Sequence, residues 1–427
     1  MAVAGPREVE RRRAALQRAA RGEPVTVICS ELGRSREWFY VWQRRYRADG
    51  PRGLEDRPHA PHHPRRSSPR VEAGVLAARD ALVAARGTRL AFSGIGAEAV
   101  AWELEHRGWK RLPALRTIDR ILQRHGRTGR RPYARERGTE PYPAPRARHP
   151  GDVHQTDLVG PRHLRGPQGP IRFYSFHTVD VVAHTPVASQ YRTKGTEALS
   201  AHLLAAWGRL GLPRTWQTDN EMVASGRPRS PGAFPQATRL ALLLGVHVVF
   251  IPPGEPGRQA HVESFNALWQ DRVLGRYACP SLARLRRVSA RFEHYLWEKK
   301  PHRHLTVREH GTRFPGAWLR RNGARLRPLP APFALDTYRD ARGRLHLPLA
   351  AGRVSFIRRV AADGTIEAGG AQVLVGRRFA HQYVTATYVT QRRCIVITHQ
   401  HRVLKRVPWT PREPVVAALR PLPRGRP

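Results

Sequence analysis

The chain has 427 residues, enough for two to four domains with a sizeable core. Its 75 Lys and Arg against 33 Asp and Glu give a net charge of +42, which implies a polyanionic partner, nucleic acid first. Three distant cysteines, Cys29, Cys279 and Cys394, exclude a disulfide framework and a Cys-based zinc site. Lys stands only at 110, 194, 299, 300 and 405. A GC-rich genome accounts for Arg in place of Lys, but not for the excess of basic over acidic residues. No apolar run approaches transmembrane length and the N-terminus lacks a secretory h-region, so a soluble, cytoplasmic, chromosome-associated protein with no membrane partner is expected.

Residues 1–57 read as a helix-turn-helix domain. An Arg-rich helix over Val9–Ala20 stops at Gly22, and a short helix over Val25–Leu32 reaches a turn at Gly33. Ser35 is a good N-cap for a third helix. Trp38, Phe39, Val41 and Trp42 lie on or beside its packing face, and Arg36, Gln43, Arg44, Arg45 and Arg47 are available for DNA. A Pro/His/Arg linker follows over Pro58–Pro69; its His59, His62 and His63 are not taken as metal ligands. Residues 71–126 read as a second helix-turn-helix-like domain. Its Gly108 separates a helix beginning near Gly94 from Leu115–His125, and Arg116, Arg120 and Arg124 face phosphate. Residues 127–150 are a basic, Pro-rich linker.

The order βββαβαβα is expected across the following segment, that of a ribonuclease-H-like α/β fold. Asp157 sits in a short β-branched and apolar run that reaches Gly160-Pro161, as a buried strand would. A hairpin over Phe173–Val182 and Val187–Tyr191 follows, then an amphipathic helix over Thr196–Leu210. Asp219 ends a strand over Arg214–Thr218. After a helix over Arg239–Leu244 and a strand over His247–Ile251, Glu263 falls in a helix over Gln259–Val273. Most single acids are solvated surface groups. Here acids are scarce and Asp157 lies among apolar residues, where an isolated carboxylate is costly unless paired or metal-bound. Two carboxylates at strand ends and one on a helix suit two divalent cations, Mg²⁺ or Mn²⁺, and in-line attack on a phosphodiester. Asp180 is read as structural.

The pieces Gln155-Thr-Asp157, Thr218-Asp-Asn220 and Val262-Glu-Ser-Phe-Asn266, with Tyr295 and Lys300-Pro-His-Arg-His-Leu305 downstream, occur in a recognisable order. The segment from about Gly151 to His310 resembles the catalytic core of bacterial insertion-sequence transposases in the retroviral-integrase (DDE) superfamily. Gly50–Pro58 is similar to the end of the first module in the same class. The resemblance implies a metal-dependent polynucleotidyl transferase that acts on double-stranded DNA, element ends and target, as at least a dimer. It makes Asp157, Asp219 and Glu263 the catalytic and metal-binding residues, with Arg258, Gln259 and His261 on the DNA approach. Two departures stand out. Here 43 residues separate Asp219 from Glu263 where the family has about 35, with the excess placed in a Pro/Gly-rich loop over 225–235. Glu221 and Gln259-Ala260 also replace residues usual in the family. Two rivals are a catalytically inactive, domesticated derivative acting as a sequence-specific DNA-binding regulator, and a nuclease that cuts without strand transfer.

The core with its helical extension is expected over 151–321. Alternating runs and the turn signals Asp363-Gly364 and Gly369-Gly370 then read as a small β-barrel over 345–410, and 411–427 as a disordered basic tail.

Overall fold

The computed structural model describes residues 6–56, 66–85, 90–128, 141–220 and 233–420. Most of the linker over 58–69, Glu221 and most of the loop over 225–235 lie outside the described residues. The chain divides into two compact units, Met1–Ala73 and Gly74–Pro427.

In the first unit α1 (Pro6–Ala20), α2 (Val25–Glu31) and α3 (Arg36–Asp49) enclose a small core of Ala15, Ile28, Cys29 and Phe39. The Ser35 hydroxyl accepts from the Trp38 N–H at 3.1 Å and caps α3. Gly33, at φ +59°, makes the turn between α2 and α3. Buried Arg12 donates to the Leu54 carbonyl at 2.7 Å, pairs with Asp56 and lies 3.6 Å over the Trp42 ring, tying α1 to the segment after α3. Val41, read as near the packing face, is 39% exposed beside exposed Tyr40; only Phe39 and Trp42 of α3 are buried.

The second unit opens with three helices, α4 (Pro69–Val83, entering from the first unit), α5 (Ala97–His106) and α6 (Leu115–Arg124). Val100, Leu104, Ile118, Ile121 and Leu122 are buried, and Gly108 (φ +84°) turns the chain between α5 and α6.

The sheet follows: β1 (Val153–Gly166), β2 (Gly169–Asp180), β3 (Pro186–Tyr191), α7 (Thr196–Leu210), β4 (Thr215–Thr218), α8 (Gln236–Leu243), β5 (His247–Phe250), α9 (Ala260–Trp269) and α10 (Leu282–His294). β1, β2 and β3 form an antiparallel meander, while β4 and β5 add in parallel on the other side of β1. The element order matches the expected βββαβαβα. The strand bearing Asp157 does not end at Gly160-Pro161, because a register shift between Val159 and Arg162 absorbs the interruption. α9 packs on β1 and β2 through Val262, Phe265 and Trp269, joined by Val288 and Phe292 of α10 in one core. Phe92, ahead of α5, enters the same core, 5.2 Å from Phe292.

The C-terminal strands correct the sequence reading. β6 (Arg353–Arg359), β7 (Thr365–Ala368), β8 (Ala371–Leu374), β9 (Tyr383–Val389), β10 (Cys394–His399) and β11 (Arg402–Pro408) do not form a separate barrel. β6 pairs in parallel with β5, and β9, β10 and β11 follow, giving one nine-stranded sheet in the order β11-β10-β9-β6-β5-β4-β1-β2-β3. The expected turns at Asp363-Gly364 and Gly369-Gly370 are present around the β7–β8 hairpin. What alternation cannot reveal is the pairing partner, and β5 would otherwise present an open edge beside an apolar core. Phe250 of β5 stacks 4.8 Å from Phe356 of β6. Residues 411–420 are also not a free tail: Val416 exchanges backbone hydrogen bonds with Leu349 and Ala351, and Glu413 pairs with Arg239. Residues 421–427 lie outside the described residues.

Candidate active site

The two acid-bearing strands carry the same tripeptide, Gln155-Thr-Asp157 on β1 and Gln217-Thr-Asp219 at the end of β4. They run parallel, with Gln155 opposite Gln217. The strand pairing reaches Gln155 and Gln217, two residues before Asp157 and Asp219, and alternation along β1 puts Asp157 on the same sheet face as Gln155. The intervening Thr156 and Thr218 are fully buried; Thr156 bonds Thr178, which bonds His202 of α7, so that face is packed by the helix.

The glutamines place the third acid. Gln155 Nε2 donates to Gln217 Oε1 at 3.0 Å, and its Oε1 accepts the backbone N–H groups of His261 and Val262 at 3.2 and 3.3 Å. It thereby satisfies donors that every helix start leaves open, and locks the first turn of α9 to the strand pair. Gln217 Nε2 reaches the Arg258 carbonyl at 3.3 Å. Glu263 lies in that first turn and Asn266 one turn on, on the same helix face. Asn266 Nδ2 donates to Asp157 Oδ2 at 2.5 Å. The donor pattern runs back through buried groups: Asn266 Oδ1 accepts from His177 Nδ1 at 2.6 Å, His177 Nε2 accepts from the Ser175 hydroxyl at 2.7 Å, and Ser175 accepts from Gln190. Burial holds the His177 pKa down at about 4 against the opposing Asn266 bond, so the neutral imidazole this chain of donors requires is the stable form at neutral pH.

Asp157, Asp219 and Glu263 are all half-buried. Among the described residues no three His, Cys, Asp or Glu side chains are grouped closely enough to hold a metal ion. In kind the donor set nonetheless suits Mg²⁺ or Mn²⁺: three carboxylates would be hard oxygen ligands, and the Asn266 amide would supply the outer hydrogen bond to one of them. Asp180, by contrast, is wholly buried. Burial would raise its pKa, but the His154 imidazole and the N–H groups of Gly151, Val182 and Ala183 hold it below the usual carboxylate range, in keeping with a structural acid.

The expected DNA contacts divide. On α3, Arg36 and Arg44 are exposed and share a face with Tyr40 and Arg47, whereas Gln43 is half-buried. Arg45 is committed to structure: it donates to the Glu55 carbonyl at 2.5 Å and lies 4.4 Å over Trp42. Arg116, Arg120 and Arg124 are exposed on α6. Arg258 is drawn into a cluster missed in the sequence, bonding Glu255 and the Tyr383 hydroxyl at 2.9 Å each and stacking 4.1 Å over Tyr142. Burial opposes its charge, but the bonds to Glu255 and Tyr383 more than offset it and raise its pKa. Gln259 is 2% exposed. His261 is exposed, its ring 5.7 Å from His184. Gln155, Gln217 and Asn266 are the site residues that sequence reasoning passed over. The repeated Gln-Thr-Asp was the available signal for the first two.

A family model described as a helix-turn-helix domain matches residues 11–62, and the first unit is such a domain. Among solved structures, the simian T-cell lymphotropic virus intasome is similar at 14% identity, covering 72% of this chain and 92% of that one, with a TM-score of 0.33. The catalytic core domain of BIV integrase is 13% identical over 41% of this chain and 98% of its own, TM-score 0.30. The HTLV-2 integrase catalytic core domain in complex with magnesium is 17% identical over 37% and 93%, TM-score 0.29. Among the described residues no helix is long and apolar enough to cross a membrane.

Proposed function

We propose that this protein is a DNA transposase that binds the ends of a mobile element and catalyses metal-dependent phosphodiester hydrolysis and strand transfer. The observation that carries the reading is the pair of Gln-Thr-Asp strands in parallel register, tied by Gln155 to the first turn of the helix bearing Glu263. Asp157, Asp219 and Glu263 would hold two Mg²⁺ or Mn²⁺ ions. Such ions, when bound, activate an attacking hydroxyl or water and stabilise the leaving oxygen. Asn266 holds the Asp157 carboxylate toward α9, and the two glutamines keep strands and helix in one geometry, as pre-organised electrostatic catalysis requires. Arg36 and Arg44 on α3, and Arg116, Arg120 and Arg124 on α6, supply the DNA contacts. The first set enters a groove and the second meets phosphate. Joining paired ends calls for at least a dimer.

The test is incubation of the full chain with Mg²⁺ or Mn²⁺ and DNA carrying the element's ends. Release of 3′-hydroxyl ends and their joining to target DNA are expected. Tight, specific binding with no cleavage in either metal would replace this reading with that of a DNA-binding regulator. Cleavage without joining would favour a nuclease.

A further inference from the structure

Arg358 of β6 is 6% exposed, yet it stands close to the proposed second metal-binding acid. Its Nη2 donates to Asn220 Oδ1 at 2.8 Å and its Nη1 to the Ile251 carbonyl at 3.3 Å. Nε donates to the Glu367 carbonyl at 2.7 Å, and Nη1 also to the Ile357 carbonyl at 3.0 Å. Among the described residues its one carboxylate partner is Glu367, 3.9 Å away and half exposed. The buried cation is therefore held, among the described residues, mainly by neutral oxygens, an expensive arrangement that an apolar side chain of similar length would avoid. Its geometric result is specific. Asn220 is gripped from both ends of its amide, since its Nδ2 also donates to the Ile251 carbonyl at 2.8 Å. On the other side of Asp219, the Thr218 carbonyl accepts the Ile251 N–H at 3.1 Å. Asp219 is thus bracketed by two fixed residues just where β4 ends, and one bracket is built by a strand more than 130 residues downstream.

We infer that Arg358 is a positioning residue for the Asp219 carboxylate, so that the C-terminal sheet extension is a working part of the active site. This rests on the reading of Asp219 as a metal-binding acid. The guanidinium fork reaches Asn220 and Ile251 together, which the single ammonium of Lys cannot reproduce.

The experiment compares full-length wild type, Arg358→Met, Arg358→Lys, Asn220→Ala, the Arg358→Met/Asn220→Ala double variant and Asp219→Asn. Mn²⁺ binding is read from the electron spin resonance of free Mn²⁺, backbone hydrogen exchange over 215–220, and DNA joining under single turnover. Loss of an outer partner of a metal ligand costs roughly 10–100-fold in metal affinity or activity. That loss is expected for Arg358→Met and Asn220→Ala, with faster exchange over 215–220, no rescue by Lys, and a double variant no worse than the poorer single one. Full rescue by Lys, or Mn²⁺ binding and joining at wild-type levels in both Arg358→Met and Asn220→Ala, would overturn the inference and leave the transposase reading standing. Mn²⁺ binding and joining by wild type that Asp219→Asn does not reduce would remove the reading of Asp219, and the inference with it. Should Arg358→Met fail to fold, Asn220→Ala decides, because it deletes the acceptor and leaves the buried arginine its carbonyl partners.

Discussion

Replacing Gln155 by Ala removes one side chain that serves three partners: the Gln217 amide oxygen and the N–H groups of His261 and Val262. Gln217 and Val262 are buried, so water does not readily replace the lost bonds there, whereas exposed His261 can be rehydrated. A buried polar group left unpaired costs about 1–3 kcal/mol. Two such groups, with some relaxation of the α9 start, give about 2–4 kcal/mol. The unit Gly74–Pro427 carries roughly 0.7 kcal/mol/K of unfolding entropy at about 2 cal/mol/K per residue, so its melting temperature should fall by about 3–6 °C. Scanning calorimetry with hydrogen exchange over 258–266 is the assay, and the exchange increase should concentrate at the first turn of α9. Gln155→Glu keeps the acceptor for the helix N–H groups but sets a carboxylate against Gln217 Oε1, so it should protect the α9 amides while still lowering stability. A Gln155→Ala protein that melts within a degree of wild type, with unchanged exchange at 261 and 262, would refute the claim that this glutamine couples the strands to α9.

Four further outcomes are expected. Arg45→Ala should destabilise the helix-turn-helix unit by about 1–2 kcal/mol, measured by denaturation, through loss of its bond to the Glu55 carbonyl and its contact over Trp42. Arg44→Ala should leave stability unchanged and lower the slope of log K against log salt by about 1 in a DNA-binding titration. Burial holds His202 and His177 down to pKa values of about 3 and about 4, below the ordinary imidazole value, so the unfolded chain binds more protons at mildly acid pH. Their contribution is complete above about pH 6.5 and is lost as pH falls toward 4, with a combined slope approaching roughly 2.7 kcal/mol per pH unit in urea titrations. His202→Gln should flatten that slope. Truncation after Gly352 deletes β6 and all that follows, opening the β5 edge; the fragment should be insoluble or lack cooperative unfolding, and a soluble, cooperatively melting fragment would restore the separate-barrel picture.

Local chemistry made much of this architecture readable. Ser35 before Arg36, Gly33 and Gly108 at turns, and the β-branched run around Asp157 specify elements from a few neighbouring residues, and those elements lie close to where they were expected. Long-range pairing was not readable in the same way. Arg353-Val-Ser-Phe-Ile-Arg alternates as any half-buried strand would, and nothing in it names β5 as its partner. For the same reason the partners of Arg258 and Arg45 were not readable: an arginine in a basic chain gives no local sign that a tyrosine or a carbonyl many residues away will bond it. The acids stood out because they are rare here and set in apolar surroundings. Of their supports, Gln155 and Gln217 left a trace in the repeated Gln-Thr-Asp, whereas Asn266 and Arg358 are recognisable only once the strands are side by side.

The most direct test of the central claim is single-turnover strand transfer by wild type and by Asp157→Asn, Asp219→Asn and Glu263→Gln, with binding to the same DNA measured in parallel. Each substitution removes a proposed metal-binding carboxylate while keeping its shape, so joining should fall by about 10³-fold or more in both Mg²⁺ and Mn²⁺, with DNA affinity within about twofold of wild type. Joining at wild-type rates by any one of the three would contradict the assignment of that residue, and by all three would contradict the account.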